Sequence, residues 1–172
     1  FTLSVAVMSQ WIELATPHGT VRCWQELPLG VPRGGLVIIQ EIFGVNSHIR
    51  AVCTRSAMAG YAILAPSFFD LVAEPGTELD YDADGVARGK ALVDQLGLDR
   101  AVDVVAAAAQ ALASHGKVGT SGYCWGGTVA MLAAQRLGLP SASYYGARNV
   151  PFLDTPFKAP CIFHFGLLDA SI

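Results

Sequence analysis

The residue best placed to do chemistry is Cys124, in the stretch Gly122-Tyr123-Cys124-Trp125-Gly126-Gly127. A short strand, Lys117 to Ser121, is expected before it, and a helix-forming segment from Gly127 to Leu137 follows. That is the G-x-nucleophile-x-G form of a sharp strand-to-helix turn. Side chains two places either side of the nucleophile would collide with backbone, so Gly122 and Gly126 leave the sulfur standing above the sheet. The helix directs its N-terminus at the sulfur, which predicts a Cys124 pKa below that of a free cysteine. The same helix end offers the Trp125 N–H to the oxyanion of a tetrahedral intermediate. With 18 glycines in the chain, the spacing alone is also met by ordinary turn chemistry around one more buried thiol. The strand before and the helix after favour the nucleophile.

Two carboxylates stand in comparable places. Glu41 follows the apolar run Leu36-Val37-Ile38-Ile39, at the carboxyl edge of a sheet, where open α/β folds bind ligands. A helix-capping or solvent-facing Glu41 fits the same pattern. Asp169 follows Cys161-Ile162-Phe163-His164-Phe165, read as a buried strand, and comes after the nucleophile as the orienting acid of such a turn does. A loop Asp capping a turn is the other reading.

The elements that must position these groups alternate. Val21–Glu26 reads as an early strand, and Leu36–Ile39 and Ala62–Ala65 as strands buried on both faces, the mark of a parallel sheet. Residues 48–59 read as a helix stopping at Gly60, and 85–96 as another. Asp99 is the expected N-cap of a third, ending at Gly116. Lys117–Ser121, Ser141–Tyr145 and Cys161–Phe165 complete the strands. The acidic segment Glu74–Asp84, with Pro75-Gly76, is expected as a surface excursion near the site. The fold class expected is α/β, a doubly wound, mostly parallel sheet. Residues 1–15 read as an N-terminal extension, with Met8 a candidate start, and residues 16–172 as one domain.

Composition narrows the function. At 172 residues, 52% hydrophobic and 15% charged, the chain is expected to bury a core. A net charge of −3 with its 11 Lys and Arg scattered argues against nucleic acid. Cys23, Cys53, Cys124 and Cys161 form no C-x-x-C pair, so neither a disulfide framework nor a metal site is expected. Phe1–Val7 is apolar but lacks the basic flank of a secretory signal, and no apolar run approaches the roughly 20 residues of a membrane span. A cytoplasmic protein, with no membrane partner and no cofactor, is expected.

With these segments in hand, the sequence resembles the dienelactone hydrolase family (carboxymethylenebutenolidase-like) of the α/β-hydrolase fold. The matching pieces are Gln40-Glu41-Ile42-Phe43-Gly44-Val45-Asn46, Gly122-Tyr123-Cys124-Trp125-Gly126-Gly127, Tyr144-Tyr145-Gly146 and His164-Phe165-Gly166 with Asp169. The resemblance implies an enzyme that hydrolyses carboxylated lactones in the breakdown of aromatics, its partner a small ester or lactone. It implies Cys124 as nucleophile, Asp169 as triad acid, and Glu41 as the carboxylate that contacts the resting cysteine and moves when substrate arrives. The backbone N–H groups of Ile42 and Trp125 would form the oxyanion hole, and Arg88 would hold the substrate carboxylate. An exposed helix Arg paired with a nearby Asp is the alternative for Arg88. The family's triad histidine lies beyond the acid, while His18, His48, His115 and His164 all precede Asp169, and His164 matches a structural position on a buried strand. The last strand and helix are therefore expected to be missing from this chain, leaving an open sheet edge and little or no activity. A general esterase or thioesterase on the same scaffold, or a non-catalytic binder of small carboxylates, are the rival functions.

Overall fold

The computed structural model describes residues 7–172. Residues 1–6, with most of the apolar Phe1–Val7 stretch, lie outside them. Seven strands form one sheet: β1 (Met8–Thr16), β2 (Gly19–Leu27), β3 (Gly35–Ile39), β4 (Ala62–Pro66), β5 (Val118–Tyr123), β6 (Ser141–Tyr144) and β7 (Cys161–His164). Their spatial order is β1-β2-β4-β3-β5-β6-β7. The hairpin β1–β2 is antiparallel, as is β2 against β4, and the strands from β4 to β7 run parallel. The expected doubly wound, mostly parallel architecture is what the chain adopts. The stretch read as an extension supplies β1 from Met8 onward, in register with β2 along its length.

Four helices cover the sheet: α1 (Ser47–Met58), α2 (Ala83–Leu96), α3 (Leu98–Leu112) and α4 (Trp125–Arg136). The strand β3 explains why the central runs are continuous rather than alternating. Val37 and Ile39 pack among Val104, Val105 and Trp125 on one face, while Ile38 packs with Ile49 and Cys53 of α1 on the other. Burying each such side chain is worth about 1.5–3 kcal/mol. Both faces therefore hold the strand at the centre, and its C-terminal end, where Glu41 follows, is fixed with it.

Side chains cap the helices that flank the site. Asn46 accepts from the Ile49 N–H at 3.1 Å to start α1, and Asp82 accepts from the Gly85 N–H at 2.7 Å to start α2. Asp99 is not a cap. Gly97, at φ 78°, closes α2 and opens α3 at once, so α3 starts two residues earlier than expected and Asp99 is free to pair with Arg136 at 2.6 Å.

The second correction concerns β7. A run of apolar residues reads as buried, yet Ile162 and Phe163 are exposed because β7 is one of the two edge strands among the described residues. His164 is exposed with them and stacks on Tyr144, ring centroids 4.4 Å apart.

Candidate active site

Cys124 sits between β5 and α4 as the helix N-cap, with φ 55° and ψ −121°. A non-glycine residue there is strained, and three glycines make the turn possible. A Cβ on Gly122 would stand 1.8 Å from the Gly126 carbonyl oxygen. One on Gly126 would meet the carbonyls of Gln40 and Ile39 at 2.3 and 2.6 Å, and one on Gly127 the Tyr144 carbonyl at 2.6 Å. The elbow is thus pressed against the end of β3 on one side and the end of β6 on the other. The Cys124 N–H donates to the Tyr144 carbonyl at 2.9 Å, tying the turn to β6.

Gly126 packs the elbow against the Ile39 and Gln40 carbonyls, just before Glu41, close enough for the Glu41 charge to act on the Cys124 sulfur. The Glu41 carboxylate is held through both oxygens: Tyr81 donates to Oε2 at 3.1 Å and Tyr145 to Oε1 at 3.2 Å. Asn46 Nδ2 in turn donates to the Tyr81 hydroxyl at 2.9 Å. Tyr81 belongs to the acidic excursion, which is docked by Asp70. That carboxylate accepts from Gly76 N–H at 3.0 Å, from Ser67 Oγ at 2.8 Å and from Arg22 Nε at 3.2 Å. The excursion expected near the site from its composition does reach it, through this one tyrosine. Tyr145 lies in the left-handed region at φ 40°.

The electrostatics run against the expected thiolate. Burial pushes the Cys124 thiol above its ordinary value, the Trp125 N–H bond to the sulfur pulls it down, and the Glu41 charge pushes it up again. A half-buried sulfur beside a carboxylate keeps its proton despite the helix N-terminus. The same carboxylate and burial push Tyr145 and Tyr81 up, burial leading in each, so both hydroxyls stay protonated donors to Glu41.

The remaining expected residues fall out as follows. Ile42 is buried, and its carbonyl lies against Gly89 of α2, where a Cβ would stand 2.1 Å away. Asp169 is exposed and accepts from the Ser171 N–H at 2.9 Å and hydroxyl at 2.5 Å, which hold its carboxyl below the usual range. Asp169 acts on Cys124 through its charge. Arg88 is exposed on α2 and lines a cavity of about 350 Å³ with Glu78, Asp80, Asp82 and Asp84. The structure therefore brings Cys124, Trp125, Glu41 and Ile42 together at the carboxyl ends of β3 and β5, and sets Arg88 among acids. Tyr81 was not singled out from sequence; a lone aromatic in an acidic stretch was the available signal. Tyr145 was visible only as part of Tyr144-Tyr145-Gly146.

The dienelactone hydrolase family model matches residues 23–172. The chain belongs to the dienelactone hydrolase family. A Synechocystis protein assigned as a carboxymethylenebutenolidase is 40% identical over 157 residues, covering 80% of this chain and 62% of that relative. The carboxymethylenebutenolidase of Pseudomonas putida is 34% identical over 151 residues, covering 81% and 62%. The chain thus spans about three fifths of the length of these dienelactone hydrolase relatives. A crystal structure of a Klebsiella pneumoniae protein assigned as a dienelactone hydrolase superposes with a TM-score of 0.80 at 25% identity, covering 97% of this chain and 75% of that one. The α/β-hydrolase fold expected of the family is confirmed. Among the described residues no helix is long and apolar enough to cross a membrane, and no cluster of three or more His, Cys, Asp and Glu could hold a metal ion.

Proposed function

We propose that the protein is a carboxylic-ester hydrolase acting on a dienelactone-type lactone, with Cys124 as nucleophile. The observation that carries this reading is the half-buried Cys124 on the strained elbow, beside a carboxylate that two tyrosines hold. Glu41 is the first acceptor of the thiol proton. The thiolate then attacks the ester carbonyl carbon, and the carbonyl oxygen, now negative, is held by the N–H groups of Trp125 and Ile42. The acyl C–O bond breaks, the ring-opened alkoxide takes a proton, and a thioester to Cys124 remains. Water adds to the thioester, Cys124 leaves as thiol, and a carboxylate is released. Activating that water needs a general base. In this reading it is an imidazole oriented by Asp169 and supplied in the full-length protein.

Protonated thiol at rest fits this scheme, because the nucleophile is unmasked only when substrate disturbs Glu41. The test is a panel of unsaturated lactones and simple aryl esters on the full-length protein, with Cys124→Ala beside wild type. Lactone turnover that disappears in Cys124→Ala supports the reading. Preference for aryl esters or thioesters would make it a general esterase. Carboxylate binding without Cys124-dependent turnover would make it a non-catalytic binder.

A further inference from the structure

The residue expected to hold an anionic substrate, Arg88, shares its cavity with the four acids Glu78, Asp80, Asp82 and Asp84, whose charge would repel an anion there. A second arginine reaches the same edge of the sheet by a different route. Beyond β6 the chain wraps the helix end that Cys124 caps: a Cβ on Gly127 would stand 3.0 Å from Gly146 Cα. Thr128 Oγ1 then accepts the Arg148 N–H at 3.0 Å, while its hydroxyl donates to Asn149 Oδ1 at 2.8 Å. Thr128 is wholly buried, so the backbone of Arg148 is fixed within one helical turn of the nucleophile. The guanidinium extends from there to Asp94 Oδ1 at 2.6 Å, on the same helix whose Gly89 packs against the Ile42 carbonyl. The helix α2 therefore runs along the rim from one oxyanion donor to Arg148.

We propose that Arg148 is the residue that selects an anionic ester or lactone here, taking the substrate carboxylate in exchange for Asp94. This rests on the hydrolase reading above. The planar guanidinium matches a carboxylate through two parallel hydrogen bonds. The side chains of Arg148 and Asp94 are 38% and 62% exposed, so water already competes for their pairing and exchange strands no buried charge. Glu41 and Asp169 would otherwise repel an anionic substrate, and the Arg148 charge works against theirs at the sulfur.

The experiment is protection of Cys124 from iodoacetamide, read by peptide mass at roughly pH 8.5, with 2-furoate or neutral 2-furamide as protectant. Wild type, Arg148→Gln, Arg148→Lys and Asp94→Asn are compared. The expected result is that 2-furoate protects wild type and Asp94→Asn, and that Arg148→Gln needs on the order of tenfold more. Arg148→Lys falls between, and 2-furamide does not distinguish the variants. Equal 2-furoate protection of Arg148→Gln and wild type, or none in wild type, overturns the assignment. Should Arg148→Gln fail to fold, Arg148→Lys decides: 2-furoate protection equal to that of wild type overturns it. Arg148-dependent protection without Cys124-dependent turnover would remove the hydrolase reading and leave Arg148 as a carboxylate site. Turnover selective for carboxylated esters but indifferent to Arg148→Gln would do the reverse.

Discussion

The Tyr145 hydroxyl donates to Glu41 Oε1 at 3.2 Å, joining residues 104 apart in sequence across the mouth of the elbow. Tyr145 pays for this position with a left-handed backbone at φ 40°. Together with Tyr81 it fixes the carboxylate whose charge raises the Cys124 thiol.

The first prediction concerns that charge. Only the thiolate reacts with iodoacetamide, so the labelling rate of Cys124 rises with pH through the thiol pKa. In wild type the inflection lies above that of an ordinary cysteine. Glu41→Gln removes the charge and shifts it downward, whereas Tyr145→Phe leaves the charge less compensated and shifts it upward. Peptide-resolved labelling rates against pH check this, and matching curves for the three proteins would show that Glu41 does not govern the thiol.

Gly126→Ala should damage both fold and site. Its Cβ would lie 2.3 Å from the Gln40 carbonyl oxygen, which is backbone and cannot swing aside. Overpacking of this kind costs about 1–3 kcal/mol, a fall of several degrees in Tm. The same displacement separates Cys124 from Glu41, so the labelling inflection should move toward that of an ordinary cysteine. Melting and labelling measured on one sample test both parts.

How much of this was legible in the sequence depends on the range of each interaction. The elbow was legible because its glycines, strand and helix are contiguous, and the added-Cβ distances bear out the collision argument for Gly122 and Gly126. The continuous run Leu36–Ile39 correctly announced a central parallel strand. The two tyrosines on Glu41 were not legible, since only the closed sheet brings residues 81 and 145 to residue 41. The expected lowering of the Cys124 pKa failed for a related reason: the helix end is local, while burial and Glu41 come from elsewhere in the fold. For β7 the apolar run was correct and its burial was not, because neighbours, not composition, decide exposure.

Buried thiols give a third prediction. Burial raises Cys23 and Cys53 well above their ordinary values, with Glu26 adding to the shift of Cys53. Below the ordinary thiol pKa both states keep their protons and the contribution is constant. Above it the unfolded chain ionises while the folded one does not, so stability falls as pH rises. Urea midpoints should therefore decline from about pH 8 to pH 10, and less steeply in a Cys23→Ala, Cys53→Ala double variant. Parallel declines would assign the loss to other groups.

The edge strand gives a fourth. Ile162, Phe163 and Phe165 are exposed on or just after β7, whose outer backbone groups face no strand among the described residues. Such an edge recruits other chains. Light scattering should show concentration-dependent association of the 172-residue chain, reduced in Ile162→Lys. Association unchanged by the lysine would place the contact elsewhere.

The backbone of Cys124, at φ 55° and ψ −121°, is one that glycine adopts freely and cysteine does not. The fold and the nucleophile thus have opposed interests at a single position. Selecting variants of this scaffold for thermal tolerance alone would reward Cys124→Gly, so an evolutionary or laboratory lineage freed from the need for chemistry would drift toward a sturdier and silent protein.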